Sequence, residues 1–205
     1  MRVGLLGGTF DPVHEGHLAL AEAARACADL DEVLLVPSAN PPHRRPALAS
    51  PEERLEMARL AAADRPGLGV WDVEVRRSGP SFTVETLREF HRERPGDEAF
   101  LILGWDAARQ LRTWRDPDEV LKLARLVVLP RPGLPPPAER DLEEAQLGSA
   151  QVIVCPAGTP DVAATRIRDR IARGDSLDSL VPAAVAEYIA RHDLYEGREE
   201  LSAKD

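Results

Sequence analysis

The sequence VGLLGGTFDPVHEGH at residues 3–17 decides the fold of this chain. Its first four residues are typical of a short buried strand, and the glycines that follow let backbone N–H groups approach a ligand closely. A helix predicted to begin near Gly16 adds N–H donors and partial positive charge. His14 and His17 are three residues apart, so both can face one phosphate across a helical turn. The stretch therefore predicts an anion site at a strand-to-helix turn.

The spacing of these glycines and histidines excludes three better-known motifs. The chain has no GxxxxGK[ST] sequence, and its only lysines, Lys122 and Lys204, are far from the glycines. Gly4, Gly7 and Gly8 do not fit the GxGxxG dinucleotide pattern. The histidines also have the wrong separation for the zinc motif HExxH, so we predict no metal ligands in the protein. The alternative is a glycine-rich turn whose histidines only cap a helix.

Length and composition indicate one globular domain. At 205 residues the chain can bury a core, which we place at residues 1–195, with a polar tail at 196–205 that is expected to fray. The net charge of −9 argues against binding to nucleic acid or to an anionic membrane. The chain starts with a strand and not an export signal, which favours a cytoplasmic enzyme. Cys27 and Cys155 lack a pairing motif, so we expect both to be reduced, buried and structural.

Apolar runs alternate with amphipathic stretches along the chain. The short Val-, Leu- and Ile-rich runs predict strands at residues 3–6, 32–36, 70–75, 99–103, 126–129 and 151–154. Composition and capping residues predict helices at residues 16–28, 51 onward, 82–94, 117 onward, 138–147, 165–173 and 182–192. This alternation predicts an α/β fold with a doubly wound, mostly parallel sheet and helices on both faces. Ligands of such folds bind at the carboxyl ends of the strands, where the opening motif lies.

Polar residues also follow the later strands. Asn40, His43 and Arg44 supply donors suited to a phosphate or a ribose, or else belong to a solvated connector. Asp106 comes after the fourth strand, where a carboxylate suits ribose hydroxyls. Trp114 either stacks on a flat ring or fills the core.

Two further helix starts offer N–H donors. The helix predicted near Thr83 begins with donors that suit a carboxylate or an amide, although Ser81 fits a simple N-cap equally well. The helix at Thr165 can receive phosphate oxygens, and Arg168 one turn later can add a charge-assisted fork. An exposed basic helix whose arginines pair with nearby carboxylates is the alternative for this last segment.

Taken in order, these segments resemble the bacterial nicotinate-nucleotide adenylyltransferases, a family within the nucleotidyltransferase superfamily that the HxGH motif marks. The resemblance is carried by GGTFDPVHEGH at 7–17, PPHR at 41–44, SFT at 81–83, Gly-x-Asp at 104–106, Thr-Trp at 113–114, Arg-Pro-Gly at 131–133 and Thr-x-x-Arg at 165–168. It runs from Arg2 to about Tyr195. HxGH alone specifies the superfamily, whereas the ordered set specifies the family.

The resemblance implies a Rossmann-like nucleotidyltransferase fold and one reaction. The adenylyl group of ATP passes to the 5'-phosphate of nicotinate mononucleotide, which gives nicotinate adenine dinucleotide and pyrophosphate in NAD biosynthesis. ATP and nicotinate mononucleotide are the implied partners, Mg2+ carried with the ATP phosphates is the implied cofactor, and a homo-oligomer is left open. A helix start at Thr83 favours a carboxylate, so we expect nicotinate to be preferred over nicotinamide.

The family's site residues map onto the matching positions of this sequence. The resemblance implies that ATP is bound by Gly8, Thr9, Phe10, His17, Gly104, Asp106, Thr165 and Arg168, and nicotinate mononucleotide by Thr83, Trp114, Asn40, His43 and Arg44. His14, His17 and Arg168 are the predicted catalytic residues, and the two histidines are expected to act as electrostatic clamps on the phosphates. Two positions depart from the family, which commonly has serines where this chain has Ala163 and Ala164.

Two other functions fit part of the sequence. Another HxGH transferase, acting on phosphopantetheine or glycerol phosphate, would share the opening motif but would not explain the SFT and Thr-Trp segments. A catalytically idle nucleotide sensor would fit the two alanines but not the intact histidines and Arg168.

Overall fold

The sheet is parallel throughout and organises the whole molecule. The computed structural model describes residues 1–39, 46–130, 132–148, 151–156 and 159–196. In these ranges the strands are β1 (Arg2–Gly8), β2 (Glu32–Pro37), β3 (Leu68–Val70), β4 (Glu98–Gly104), β5 (Arg125–Leu129) and β6 (Val152–Val154). They pair in the order β3-β2-β1-β4-β5-β6, and every pair is parallel. The order reverses between β1 and β4, which is the topological switch point of a doubly wound sheet.

Helices connect the strands and cover both faces of the sheet. Their bounds are α1 (Glu15–Cys27), α2 (Pro51–Ala62), α3 (Val73–Arg76), α4 (Thr83–Glu93), α5 (Trp105–Ala108), α6 (Pro117–Leu123), α7 (Glu139–Glu144), α8 (Ala164–Arg173) and α9 (Ala183–Arg191), with a 3-10 turn at Leu111–Thr113. Among the described residues, no helix is both long and apolar enough to cross a bilayer.

Alternate residues of the strands enter two separate apolar cores. On one face, Phe100 and Ile102 of β4 pack with buried residues of α1 and α9. On the other face, Leu101 and Leu103 pack with Val84, Leu87 and Phe90 of α4. Both faces of the sheet are therefore buried, which confirms the predicted doubly wound fold.

The third strand differs from its prediction. The sequence predicted a strand at 70–75, but β3 is Leu68–Val70 and the chain then forms the short helix α3. Trp71 still donates its backbone N–H to Leu35 O at 2.9 Å, after which the chain leaves the sheet. Val73 is buried in the core beneath α4 and not in a strand. A run of Val and Trp cannot by itself show where an edge strand stops, because the strand and the short helix after it both bury apolar side chains.

The two helix starts with a polar residue before proline behave differently. Ser50 caps α2 with its hydroxyl, which accepts from Glu53 N at 3.2 Å, while Glu53 accepts from Ser50 N at 2.7 Å. Asp116 precedes α6 in a left-handed conformation, with φ of 48°, and its side chain makes no cap. Both polar-residue-then-proline signals predicted where a helix begins, but only Ser50 makes the capping hydrogen bonds that the signal implies.

The cysteines are paired, so the prediction that both are reduced is wrong. Cys27 is the last residue of α1 and Cys155 follows β6, and their sulfurs form a disulfide across 128 positions of the sequence. Because α1 packs on the face of the sheet near β5 and β6, their Cα atoms lie 5.9 Å apart. The spacing of the two cysteines could not predict this bond, because the order of the strands in the sheet brings them together.

Candidate active site

A cleft of about 420 Å³ opens at the carboxyl ends of β1 and β4, where the strand order reverses. Its walls come from the end of β1, the turn before α4, and the segment from α5 to Arg115. The lining residues are Gly7, Gly8, Thr9, Ser38, Glu74, Ser81, Phe82, Thr83, Leu101, Leu103, Asp106, Ala107, Gln110, Trp114 and Arg115. The structure thus brings Gly8, Thr9, Thr83, Asp106 and Trp114 together from distant parts of the sequence, as the resemblance implied.

Three glycines shape the floor of this region. A Cβ added at Gly7 or at Gly104 would meet no atom within 4 Å, so both leave open space at the ends of their strands. A Cβ at Gly8 would lie 2.7 Å from the ring of Phe10. That ring is only 1% exposed and forms part of the core, so Phe10 can contact ATP only through its backbone.

The two histidines of the motif stack at the start of α1. Their ring centroids are 3.7 Å apart, and the edge of Phe10 packs on His17 at 4.9 Å. His17 Nδ1 accepts a hydrogen bond from the backbone N–H of His14 at 3.3 Å. A backbone N–H can only donate, so Nδ1 carries no proton and the proton of the neutral ring lies on Nε2. His17 therefore presents an N–H donor at the end of its ring that faces away from the backbone.

His14 is more deeply buried than His17. It is 6% exposed, and burial lowers the pKa of His14 to about 4, because charging a buried imidazole costs its hydration. The ring is neutral at pH 7. Its Nδ1 is buried at the start of α1, 3.1 Å from the position that a Cβ on Gly16 would take.

The burial of His14 is expected to make stability fall in acid. Between pH 6.5 and about 4 the unfolded imidazole is protonated while the folded one is not, so the unfolded state binds more protons and gains population as the pH drops. We expect His14 to account for about 2 kcal/mol of stability lost between pH 7 and pH 5. Urea unfolding of wild type and His14→Gln at both values measures this difference. The exposed His192→Gln is the control, and equal pH dependence of wild type and His14→Gln would contradict the prediction.

Arg168 reaches the motif from α8, in a pocket formed by the loop after β1. Its Nη1 donates to the carbonyl oxygen of Asp11 at 2.6 Å and lies 3.8 Å from Asp11 Oδ2. The side chain is 13% exposed. Asp11 therefore fixes Arg168 next to the strand-to-helix turn, as the predicted phosphate role requires.

At the start of α8, alanines occupy the two positions where the resemblance implies serines. Ala163 is the N-cap residue and makes no side-chain hydrogen bond to the helix, and Ala164 is the first helical residue. Thr165 is exposed in the first turn. Since two methyl groups replace two hydroxyls, any phosphate bound here would meet Thr165, Arg168 and backbone N–H groups.

The structure adds cleft residues that the sequence interpretation missed. Arg115 lines the cleft with its guanidinium 4.6 Å from the centre of the Phe82 ring, a cation–π contact. Glu74 lines it from α3 and is 8% exposed, and burial raises the pKa of its carboxyl. Arg115 could have been found from its position next to Trp114. Glu74 could not, because the sequence placed it in a strand.

The structure shows which residue is the N-cap of α4. The N-cap of α4 is Phe82, which has no side chain that could cap, so Ser81 is not the N-cap. Ser81 instead lines the cleft beside Thr83, the first residue of the helix. The helix start thus faces the same space as Trp114.

Three of the predicted substrate-binding residues, Asn40, His43 and Arg44, lie outside the described residues, so their roles stay predictions. Within the described ranges, no three His, Cys, Asp or Glu side chains come together in a way that could hold a metal ion.

The chain is similar in sequence to nucleotidyltransferases over nearly its whole length. The Cytidylyltransferase-like family model matches residues 5–170. A relative from Thermus thermophilus that carries the name nicotinate-nucleotide adenylyltransferase is 45% identical over 195 residues, covering 95% of this chain and 100% of the relative. A relative of the same name from Dehalococcoides mccartyi is 39% identical over 198 residues, covering 95% of this chain and 97% of the relative.

A solved structure shares the fold. It is Plasmodium falciparum nicotinic acid mononucleotide adenylyltransferase complexed with NaAD, which is 14% identical and superposes with a TM-score of 0.76 over 95% of this chain and 97% of that chain. At this level of identity the likeness concerns the fold alone.

Proposed function

Because the chain belongs to the Cytidylyltransferase-like family and, within it, to the nicotinate-nucleotide adenylyltransferases, we propose that its cleft joins ATP to nicotinate mononucleotide. The observation that carries this proposal is the juxtaposition at the switch point. Thr83, Trp114 and Arg115 line the cleft together with Gly7, Gly8 and Thr9, which begin the motif that ends at His17. We therefore assign the pyridine nucleotide and the triphosphate to adjacent sites.

The reaction needs alignment more than acid–base chemistry. An oxygen of the 5'-phosphate of nicotinate mononucleotide attacks the α-phosphorus of ATP. A P–O bond forms to that oxygen, the bond to the β-phosphate oxygen breaks, and pyrophosphate leaves with the electron pair. The attacking monoester has its second pKa near about 6 and is largely dianionic at neutral pH, so no general base is required. The protein must hold two polyanions in line and stabilise the charge that develops.

Three groups around the motif are suited to the phosphates. We assign the Nε2–H of His17 to the α-phosphate, where it donates to the oxygen that gains charge. His14 assists as a neutral ring that orients His17 through stacking and through its backbone N–H. Arg168 and Thr165 receive the β- and γ-phosphates at the start of α8.

The remaining residues hold the rest of the two substrates. We assign Gly8, Thr9 and the backbone of Phe10 to the shared nucleotide crevice, and Gly104 with Asp106 to adenosine. Thr83 and Trp114 hold the pyridine ring. Asn40, His43 and Arg44 are assigned to phosphate contacts of nicotinate mononucleotide.

The cleft supports a preference for the acid over the amide. The pyridine wall is formed by the N-terminus of α4, which favours negative charge, and by the Arg115 guanidinium. Both would stabilise the carboxylate of nicotinate and gain nothing from the neutral carboxamide.

Mg2+ fits this site as an ion held through the substrate. The described residues offer no three-ligand cluster, and Asp11 near the phosphate turn is already bound by protein donors. The ion would therefore be held by phosphate oxygens and water, where it neutralises charge on the triphosphate.

We place the enzyme in the cytoplasm, without a nucleic-acid or membrane partner.

A pyrophosphate-release assay with a panel of acceptors tests the proposed function. With ATP, nicotinate mononucleotide is expected to support turnover, nicotinamide mononucleotide to support much less, and phosphopantetheine and glycerol phosphate to support none. Equal efficiency with the two mononucleotides would overturn the preference. Turnover with another acceptor alone would overturn the assignment, and no turnover with any acceptor would favour a sensor.

Replacing Trp114 by alanine is expected to separate the two substrates. Stacking of a base on an aromatic side chain contributes about 1–3 kcal/mol, so the KM for nicotinate mononucleotide should rise about 10- to 100-fold while the KM for ATP changes little. Steady-state kinetics with each substrate varied in turn measure this. Trp71→Phe is the control, because Trp71 lies outside the cleft and donates Nε1–H to Glu93. A rise in the KM for ATP alone would reject the assignment.

A further inference from the structure

A single buried carboxylate ties the phosphate turn to three other segments. Asp11 is 7% exposed. Its Oδ1 accepts from Tyr195 Oη at 2.9 Å and from Ala49 N at 3.1 Å, and its Oδ2 accepts from Leu48 N at 2.8 Å. Arg168 completes the surroundings from α8. A buried carboxylate is tolerated only when its lone pairs are occupied in this way, so each donor helps to fix its position.

A second buried cation lies beneath the same turn. Arg54 of α2 is 1% exposed and donates to Thr9 O at 2.5 Å and to Ala49 O at 3.2 Å. Burial lowers the pKa of Arg54, and the charge of Asp11 acts in the opposite direction, which places the two groups in one electrostatic cluster. Two guanidinium groups, from Arg54 and Arg168, face one carboxylate, so the cluster keeps a net positive charge under the turn. That charge favours an anion above it.

The Tyr195 side chain is fixed in this cluster although its backbone conformation is unfavourable. It follows α9, is 1% exposed and has a φ of 68°, a left-handed conformation that bulky residues seldom adopt. Burial and the neighbouring Asp11 raise the pKa of Tyr195, so the hydroxyl is a neutral donor at every physiological pH. The contacts of the side chain compensate for the unfavourable backbone.

We propose that Tyr195 is a positioning residue for adenylyl transfer: its hydroxyl holds the Asp11 carboxylate, and Asp11 holds Arg168 beside the triphosphate. Without the hydroxyl, Oδ1 keeps the donor Ala49 N and Oδ2 keeps Leu48 N, but Asp11 loses its link to the C-terminal segment. Asp11 is then held less firmly, and the Arg168 guanidinium shifts with it, because Nη1 donates to the Asp11 carbonyl oxygen at 2.6 Å and lies 3.8 Å from Oδ2. This inference rests on the assignment of Arg168 to the phosphates of ATP.

The Tyr195→Phe variant of the full chain tests the proposal, because it removes only one oxygen atom. A small misplacement of a positioning group costs up to about 100-fold in rate, and we expect kcat/KM for ATP to fall about 10-fold. In the reverse direction the KM for pyrophosphate should rise, while the KM for nicotinate mononucleotide stays the same. Tyr188→Phe removes a hydroxyl from α9 without touching Asp11 and should leave all these values unchanged.

A double-mutant cycle with Arg168→Ala shows whether the effect passes through Arg168. If it does, Tyr195→Phe should have little further effect in the Arg168→Ala background. Additive effects would overturn the inference alone, whereas normal phosphate kinetics of Arg168→Ala would overturn the assignment of Arg168 as well. Asp11→Asn should show the same kinetic pattern as Tyr195→Phe. A loss of folded protein with unchanged kinetic constants of the folded fraction would show a purely structural role and reject the proposal.

Discussion

Replacing His17 by alanine is expected to lower kcat for adenylyl transfer about 100- to 1000-fold, the usual cost of removing one fixed donor to a developing oxyanion. The ring is held by stacking on His14 and by the hydrogen bond from the His14 backbone, so its Nε2–H is aimed before the substrate arrives. A water molecule that fills the space left by the ring would have to be ordered in the transition state. Steady-state kinetics at saturating ATP and nicotinate mononucleotide measure the loss.

The chain offers two controls for this experiment. His192→Ala removes an exposed histidine after α9 and is expected to have normal activity. His17→Gln restores an N–H donor on a longer, flexible side chain and should recover part of the lost rate. Near-normal turnover of His17→Ala would reject the role of His17, and a fall in kcat that follows a lower unfolding temperature would assign His17 to stability.

The fold was predictable because its signals are local. The apolar runs of β1, β2, β4, β5 and β6 are short and rich in branched residues, and parallel strands buried on both faces require that composition. The doubly wound arrangement followed from the alternation with helices, whereas the order of the strands is known only from the structure. The sequence did not show that β3 stops at Val70, because the next valine, Val73, is buried in the core with residues of α4 although it lies outside the strand.

The sequence predicted cleft residues mainly where a polar or aromatic side chain lies near the end of a strand or the start of a helix. Thr83 begins α4 and Asp106 lies in α5 directly after β4, and the structure brings both into one cleft with Trp114, which follows the 3-10 turn. The neutral state of His14 was not predictable, since it depends on a burial that many segments create together. Tyr195 is 184 residues from Asp11, so no pattern in the sequence links them. Contacts of this kind follow from the fold and not from spacing.

Reduction of the Cys27–Cys155 bond is expected to lower the free energy of unfolding by about 5 kcal/mol, since a cross-link over so long a segment strongly restricts the unfolded chain. The segment spans 128 positions. For a domain of this size the loss corresponds to a fall in Tm of about 10–20 °C. Thermal unfolding with and without a thiol reductant measures it. Thiol titration of the native protein should find no free cysteine before reduction.

Two single variants separate the cross-link from the packing of its sulfurs. Cys27 is exposed at the end of α1, so Cys27→Ser removes the bond without burying a hydroxyl, and it should match the reduced wild type. Cys155 is fully buried, so Cys155→Ser should lose about 1–3 kcal/mol more, the cost of an unpaired buried hydroxyl. Reductant should then change neither variant. If reduction leaves the wild-type Tm unchanged, the two thiols are not joined in solution, and the prediction is contradicted.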